Sequence, residues 1–199
     1  MTFPARLAVA SKNAHKLREI ARICADWPVE WVTAENHPGP WPDVEEPFAT
    51  YLENALVKAR TVASRFEMAA IADDSGIEVD ALHGAPGPRS ARFAGVADDA
   101  GNLAKLLDDL RGVEPWRRTA RYRCVVVLAW PDGRDVWTEG TSEGRIVDDT
   151  RGRRGFGYDP AFVPEGENRT MAELTDEEKD RISHRGRAFR EMRDRLAAS

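Results

Sequence analysis

Ala69-Ala-Ile-Ala-Asp-Asp-Ser-Gly-Ile-Glu-Val-Asp-Ala81 is the stretch on which the fold turns. Ala69 to Ala72 reads as a short buried strand, and Ile77, Val79 and Ala81 alternate with polar residues as a half-exposed strand does. Between them stands Asp73-Asp74-Ser75-Gly76. An acid pair at the end of an apolar strand lies where an open α/β sheet places its ligands. Adjacent carboxylates repel, so a cation or hydrogen-bond donors must relieve them. Magnesium suits such a pair, because it takes a few carboxylates and completes its shell with water and substrate phosphate. The competing reading is a turn in which Asp74 bonds backbone beside Gly76, since Asp-Ser-Gly is ordinary turn chemistry.

Toward the N-terminus, Ala5 to Ala10 predicts a strand that runs through Ser11-Lys12-Asn13 into a helix carrying Leu17, Ile20, Ala21 and Cys24 at helical spacing. Val29 to Thr33 predicts a second strand. Pro38, Pro40, Pro42 and Pro47 make residues 34–47 a loop. Phe48, Leu52, Ala55, Leu56, Ala59 and Ala63 then mark a longer amphipathic helix. Toward the C-terminus, Gly84 to Pro88 is a loop and Asp98 to Leu110 a helix. Thr119 to Trp130 and Arg134 to Glu143 form a hairpin around Pro131-Asp132-Gly133. A glycine-rich loop, Arg151 to Asp159, follows. Thr175-x-x-Glu178 is a capping box that opens a helical region running to Ala198, with a break near Ser183-His184. Strands and helices alternate at both ends with a long hairpin between them, which predicts one α/β domain over residues 1–199, with a mixed central sheet and flanking helices.

Composition narrows the function classes. Apolar residues make up 42% and charged residues 32%, an ordinary globular balance that can bury a core without staples. No run approaches the roughly 18 apolar residues of a membrane span. Residues 1–6 lead straight into a strand with no export-signal pattern, and Cys24 and Cys124 both fall at core positions, so a reducing cytoplasm is expected. The net charge of −5 argues against nucleic acid as a partner. Two arginine clusters stand out against that average, Arg117, Arg118, Arg121 and Arg123, and Arg151, Arg153 and Arg154. Each reads either as a solvated face or as a cationic wall for an anion.

Three further segments carry chemistry. Ser11-Lys12-Asn13-Ala14-His15-Lys16 joins a strand to a helix, where free backbone N–H groups, short polar side chains and a lysine one turn in suit a phosphate chain. It is equally an ordinary N-cap at Asn13, and it is not a Walker loop, because it contains no glycine. Phe156-Gly157-Tyr158-Asp159 sets aromatics among glycines, a platform for stacking a base or else a core-packing pair. Lys179, Ser183, His184 and Arg185 come last, with Lys179 and Ser183 four apart and Arg185 offering a donor fork for a carbonyl or a phosphate. An exposed charged helix is the alternative there.

In this order and at these separations the segments resemble the inosine/xanthosine triphosphate pyrophosphatase family, from about residue 6 to residue 197. The family's [ST]-x-N-x-x-K is matched by Ser11, Asn13 and Lys16, and its E-N-A element by Glu53-Asn54-Ala55. A-D-D-S-G followed by G-A-P-G is matched at Ala72 to Gly76 and Gly84 to Gly87, F-G-Y-D at Phe156 to Asp159, and S-H-R at Ser183 to Arg185. The resemblance implies magnesium-dependent hydrolysis of ITP, dITP and XTP to the monophosphate and pyrophosphate, cleansing the nucleotide pool of deaminated purines. It implies Asp74 as general base and metal ligand and Glu45 as the second metal acid, with Glu46 the alternative. Residues Ser11 to Lys16 would hold the triphosphate and Ser75 would touch substrate. Phe156, Gly157, Tyr158, Asp159, Lys179, His184 and Arg185 would enclose the base, with Arg185 or Lys179 donating to its 6-oxo group. A homodimer of two-lobed subunits with the active-site cleft between the lobes is also implied.

Overall fold

A computed structural model describes residues 2–95 and 98–198, so the two ends of the expected 1–199 domain lie outside the described residues. Six strands form one sheet in the order β2-β1-β3-β4-β5-β6. They are β1 (Arg6–Val9), β2 (Glu30–Val32), β3 (Ala70–Val79), β4 (Thr119–Ala129), β5 (Asp135–Ile146) and β6 (Phe162–Pro164). β1 pairs with β2 and β3 in parallel, and β5 pairs with β6 antiparallel, so the sheet is mixed as the sequence predicts. The helices are α1 (Ala14–Ile23), α2 (Tyr51–Phe66), α3 (Asp99–Asp109), α4 (Asp176–Ile182) and α5 (His184–Ala197).

Local signals place most of these elements. Asn13 caps α1, its side-chain oxygen accepting from the His15 and Lys16 N–H groups. Thr50 caps α2, which begins three residues after Phe48, where the apolar pattern starts. The Thr175 capping box opens α4, and Ser183 takes extended dihedrals that separate α4 from α5. Gly133, at a φ of +89°, lets the hairpin turn close, and Trp130 N–H donates to the Arg134 carbonyl across it.

One expectation fails. Asp73 to Gly76 is not a turn between two strands but the middle of the ten-residue strand β3. Glycine stands at position 76 for clearance rather than for turning: a Cβ there would come within 2.2 Å of the Gly87 carbonyl oxygen.

The chain divides into two compact units. The first comprises residues 1–74, 124–140 and 185–199. Here strand parity sorts the core. Leu7, Val9, Ala69, Ile71, Cys124, Val126 and Leu128 pack with Ile20 of α1 and with Phe189 and Met192 of α5. The alternating set, Ala8, Ala10, Ala70, Ala72, Val125, Val127 and Ala129, packs against Ala55, Ala59 and Val62 of α2. Successive side chains point to opposite faces of a strand, so this stretch of sheet is covered on both faces, and its strands read as continuous apolar runs. The second unit comprises residues 75–123 and 141–184. Its core joins Ile77, Val79, Tyr122, Ile146 and Phe162 to Leu106 and Leu110, and to Met171 and Leu174 ahead of α4.

Candidate active site

Asp73 and Asp74 continue the two parities of β3, so adjacent carboxylates emerge on opposite faces of the sheet. Asp73 belongs to the α1 and α5 face. Its Oδ2 lies 3.1 Å from Lys16 Nζ and accepts from Arg185 Nη2 at 2.9 Å and Nε at 3.2 Å. The third guanidinium nitrogen, Nη1, is held by Glu19. Glu19 follows Lys16 by three positions on α1, so both face the same way. Burial opposes ionisation of Asp73, yet Lys16, Arg185 and Lys58 overwhelm it and hold the carboxyl far below the usual range. For Lys16, burial works against the charge but Asp73 outweighs it, and the ammonium keeps its proton more tightly than an ordinary lysine.

Asp74 belongs to the α2 face. Asn54, fully buried one turn into α2, donates to Asp74 Oδ2 at 3.1 Å, and Lys58, one turn further, stands 3.5 Å from Oδ1. Lys58 also donates to the Asp73 carbonyl at 2.8 Å and lies 3.1 Å from Glu46 Oε2. Here burial is the largest influence and raises the Asp74 carboxyl above the usual range. Lys58 and Lys16 pull against it, and Glu46 adds to it. For Glu46, burial is outweighed by Lys58 and Lys16, and that carboxyl sits below its ordinary value.

The structure therefore brings Glu46, not Glu45, to Asp74; Glu45 is exposed on the outer side of the loop. Asn54, which donates to Asp74, also bonds both backbone groups of Phe48, two residues beyond Glu46, and so ties the end of this loop to the same helix. Ser11 accepts from the Asn13 N–H, Ala14 opens α1 on the exposed side, and His15 Nδ1 lies 2.9 Å from Arg18. Lys12 reaches Asp43 of the proline-rich loop at 2.5 Å. Asn54 entered the sequence reading only within the E-N-A element, with no role given to it, and Lys58 did not enter at all. The signal was there: two polar residues four apart on a helix whose neighbours Ala55, Ala59 and Val62 are core.

In the second unit Ser75 is half-buried on β3. Asp159 Oδ2 lies 2.5 Å from Lys179 Nζ and accepts from the Phe156 N–H, while Oδ1 accepts from the Tyr122 hydroxyl at 3.2 Å. His184 stacks on Tyr122, ring centroids 4.6 Å apart and 7° from parallel. Lys179 Nζ stands 5.2 Å from the centre of the half-buried Phe156 ring. The Gly157 N–H donates to Asp99. Gly155 is at a φ of +72°, and a Cβ there would fall 2.0 Å from Asp159 Oδ2, so that carboxylate can sit under the loop only with glycine above it.

Two expectations change here. Tyr158 is no stacking platform: it is buried and its hydroxyl donates to the Ser90 carbonyl, whereas Phe156 is half-buried. Arg185 does not present its fork outward: it is 1% exposed and spans Asp73 and Glu19, so donating to a base is not the task its side chain performs in this structure. The arginine clusters are engaged too. Arg118 pairs with Asp148, Arg121 with Asp80 and Glu143, and Arg123 with Glu78. Arg151 and Arg154 donate to backbone carbonyls.

The sequence pattern of the Ham1 family matches residues 7–195, nearly the whole chain and every segment just described. The chain belongs to the Ham1 family. Among curated relatives, the dITP/XTP pyrophosphatase of Geobacter sulfurreducens is 46% identical over 192 residues, covering 96% of each chain. That of Streptomyces coelicolor is 47% identical, covering 94% of each. Among solved structures, a HAM1 protein from Coxiella burnetii superposes with a TM-score of 0.87 at 36% identity over the full length of both chains. The nucleoside-triphosphatase/dITP/XTP pyrophosphatase of Mycobacterium abscessus does so at 0.76 with 44% identity, covering 94% and 98%. Membership in the Ham1 family thus agrees with the mixed α/β architecture.

The residues present fit a magnesium ion. Among the described residues no cluster of three or more His, Cys, Asp or Glu side chains gathers to bind a metal. Magnesium needs no such cage: one or two carboxylates with water and substrate phosphate suffice, and Asp74 with Glu46 is an all-oxygen pair of that kind. No helix among the described residues is long and apolar enough to cross a membrane.

Proposed function

We propose that the chain hydrolyses ITP, dITP and XTP at the α–β phosphoanhydride bond, releasing the monophosphate and pyrophosphate, with magnesium as cofactor. One observation carries this reading: a buried carboxylate, Asp74, whose proton affinity is raised, stands beside a second acid and two lysines in a chain 46% and 47% identical to dITP/XTP pyrophosphatases.

The chemistry follows from the residues. A carboxylate whose pKa moves up toward the working pH is a better general base than an ordinary aspartate, so Asp74 takes the proton of the attacking water. Asn54 holds one of its oxygens and keeps the other directed. Asp74 and Glu46 would hold magnesium, which supplies Lewis-acid charge withdrawal from the phosphate oxygens. Lys16 and the positive N-terminal end of the α1 dipole bind the phosphate chain and stabilise charge as pyrophosphate leaves. The base stacks on Phe156, and the Lys179 ammonium, anchored on Asp159, donates to the 6-oxo group that hypoxanthine and xanthine carry and adenine lacks. A donor left facing the adenine 6-amino group is unpaired, which rejects ATP.

A homodimer and a cytoplasmic location belong to the same reading. Two buried free thiols suit a reducing compartment, and Trp116, 76% exposed, offers an apolar contact. The test is purified protein with magnesium and ITP: pyrophosphate should appear in step with IMP, and ATP should turn over far more slowly. Orthophosphate as the first product would overturn the bond assignment, and sedimentation would report the dimer.

A further inference from the structure

Lys58 is the cation that the two acids of the α2 face share. Its ammonium stands 3.1 Å from Glu46 Oε2, 3.5 Å from Asp74 Oδ1 and 2.8 Å from the Asp73 carbonyl oxygen. An ammonium has three protons to donate, and these three oxygens match them one for one. The side chain is 9% exposed, so its charge acts through a medium less polar than water and is felt strongly at both carboxylates. The strand and loop that it bridges are braced by the same helix. Asn54, four residues earlier on α2, is hydrogen-bonded to Asp74 on one side and to both backbone groups of Phe48 on the other. A divalent cation that takes Asp74 and Glu46 therefore meets a positive charge already seated between them.

We propose that Lys58 is a built-in counterion that holds Glu46 and Asp74 in the metal's place and makes metal binding depend on the triphosphate. With the metal alone, two carboxylates would have to balance a divalent ion and an ammonium together, leaving a buried excess of positive charge. A triphosphate reverses that excess and supplies oxygens to the displaced ammonium. No bond forms or breaks in the exchange; ionic partners are traded. Coupling of this kind is reciprocal, so the metal must tighten the triphosphate by the same factor. The inference rests on the metal site proposed above, and it goes further by assigning to Lys58 the coupling between the metal and the triphosphate.

The test is calorimetric titration of magnesium into the full chain, alone and with a non-hydrolysable α,β-methylene analogue of ITP. In the unaltered protein the analogue should tighten metal binding at least about tenfold, the change that corresponds to about 1.4 kcal/mol. Lys58→Met removes the charge at similar length, so magnesium alone should bind about tenfold tighter than to the unaltered protein, and the coupling should shrink. Lys58→Arg keeps the charge and should keep the weak binding. Thermal unfolding gives a second readout: magnesium alone should raise the midpoint of Lys58→Met and barely move that of the unaltered chain. Should Lys58→Met fail to fold, Lys58→Gln, which also removes the charge, takes its place in both measurements. Equal metal affinity with and without the analogue, or no gain in Lys58→Met, overturns the role of Lys58 and leaves the metal site standing. Absence of magnesium binding under every condition removes the metal site as well.

Discussion

Asp73 and Asp74 are the same residue type, one bond apart on one strand, and the two faces of the sheet treat them oppositely. On the α1 and α5 face two cations crowd Asp73, and a second acid, Glu19, balances the surplus; that carboxylate is locked in its ionised form. On the α2 face a neutral amide and one shared ammonium serve Asp74 and Glu46 together, and burial prevails at Asp74. Charge count per face, rather than residue type, decides which acid is held ionised and which has its proton affinity raised.

The largest effect comes from removing the working member. Asp74→Asn should lower kcat by about a thousandfold or more while the far-ultraviolet circular dichroism is unchanged, since the proposed base and metal ligand are both lost. An active variant would exchange the roles assigned to the two faces. The same substitution sharpens the comparison through stability. A carboxyl whose folded pKa is raised stabilises the fold only while protonated, and that contribution is lost as pH climbs through the folded value. Asp74→Asn should therefore melt a few degrees higher than the native chain at pH 7.5, with the gap narrowing toward pH 4.

Breaking the other face should reverse the pattern. Arg185→Met leaves Asp73 and Glu19 buried without their shared cation and should cost about 3–5 kcal/mol in denaturant unfolding, the usual range when one partner of a buried ion pair is removed. Asp73 also predicts an acid limb. Its depressed folded pKa gives stability that is present above the ordinary carboxylate range and is lost as pH falls below it. Asp73→Asn should show a flatter loss of stability in acid than the native chain. Lys12→Ala removes an exposed pair with Asp43 and should change stability by less than about 1 kcal/mol, however much it changes the KM for triphosphate.

Much of this frame was legible in the sequence. The strand–cap–helix passage at Asn13, the hairpin around Gly133 and the Thr175 capping box all rest on interactions within a few residues, which local pattern records directly. What escaped depends on partners distant in the chain. Asp-Asp-Ser-Gly reads as a turn by composition, but β3 has neighbours on both sides, β1 and β4, and the sheet overrides local preference. Glu45 and Glu46 stand as alternatives in the sequence, because a loop has no periodicity from which to read which of two adjacent acids faces inward. The destination of Arg185 depends on Asp73, 112 residues away, and the sequence alone carries no sign of that pairing.

The two cysteines have a practical consequence. Cys24 and Cys124 are both buried, and burial pushes both thiols well above their ordinary range, so very little reactive thiolate forms at neutral pH. The native chain should therefore react slowly with maleimides. A single cysteine introduced at an exposed position such as Trp116 would take a fluorophore alone, without first stripping the protein of its own sulfur.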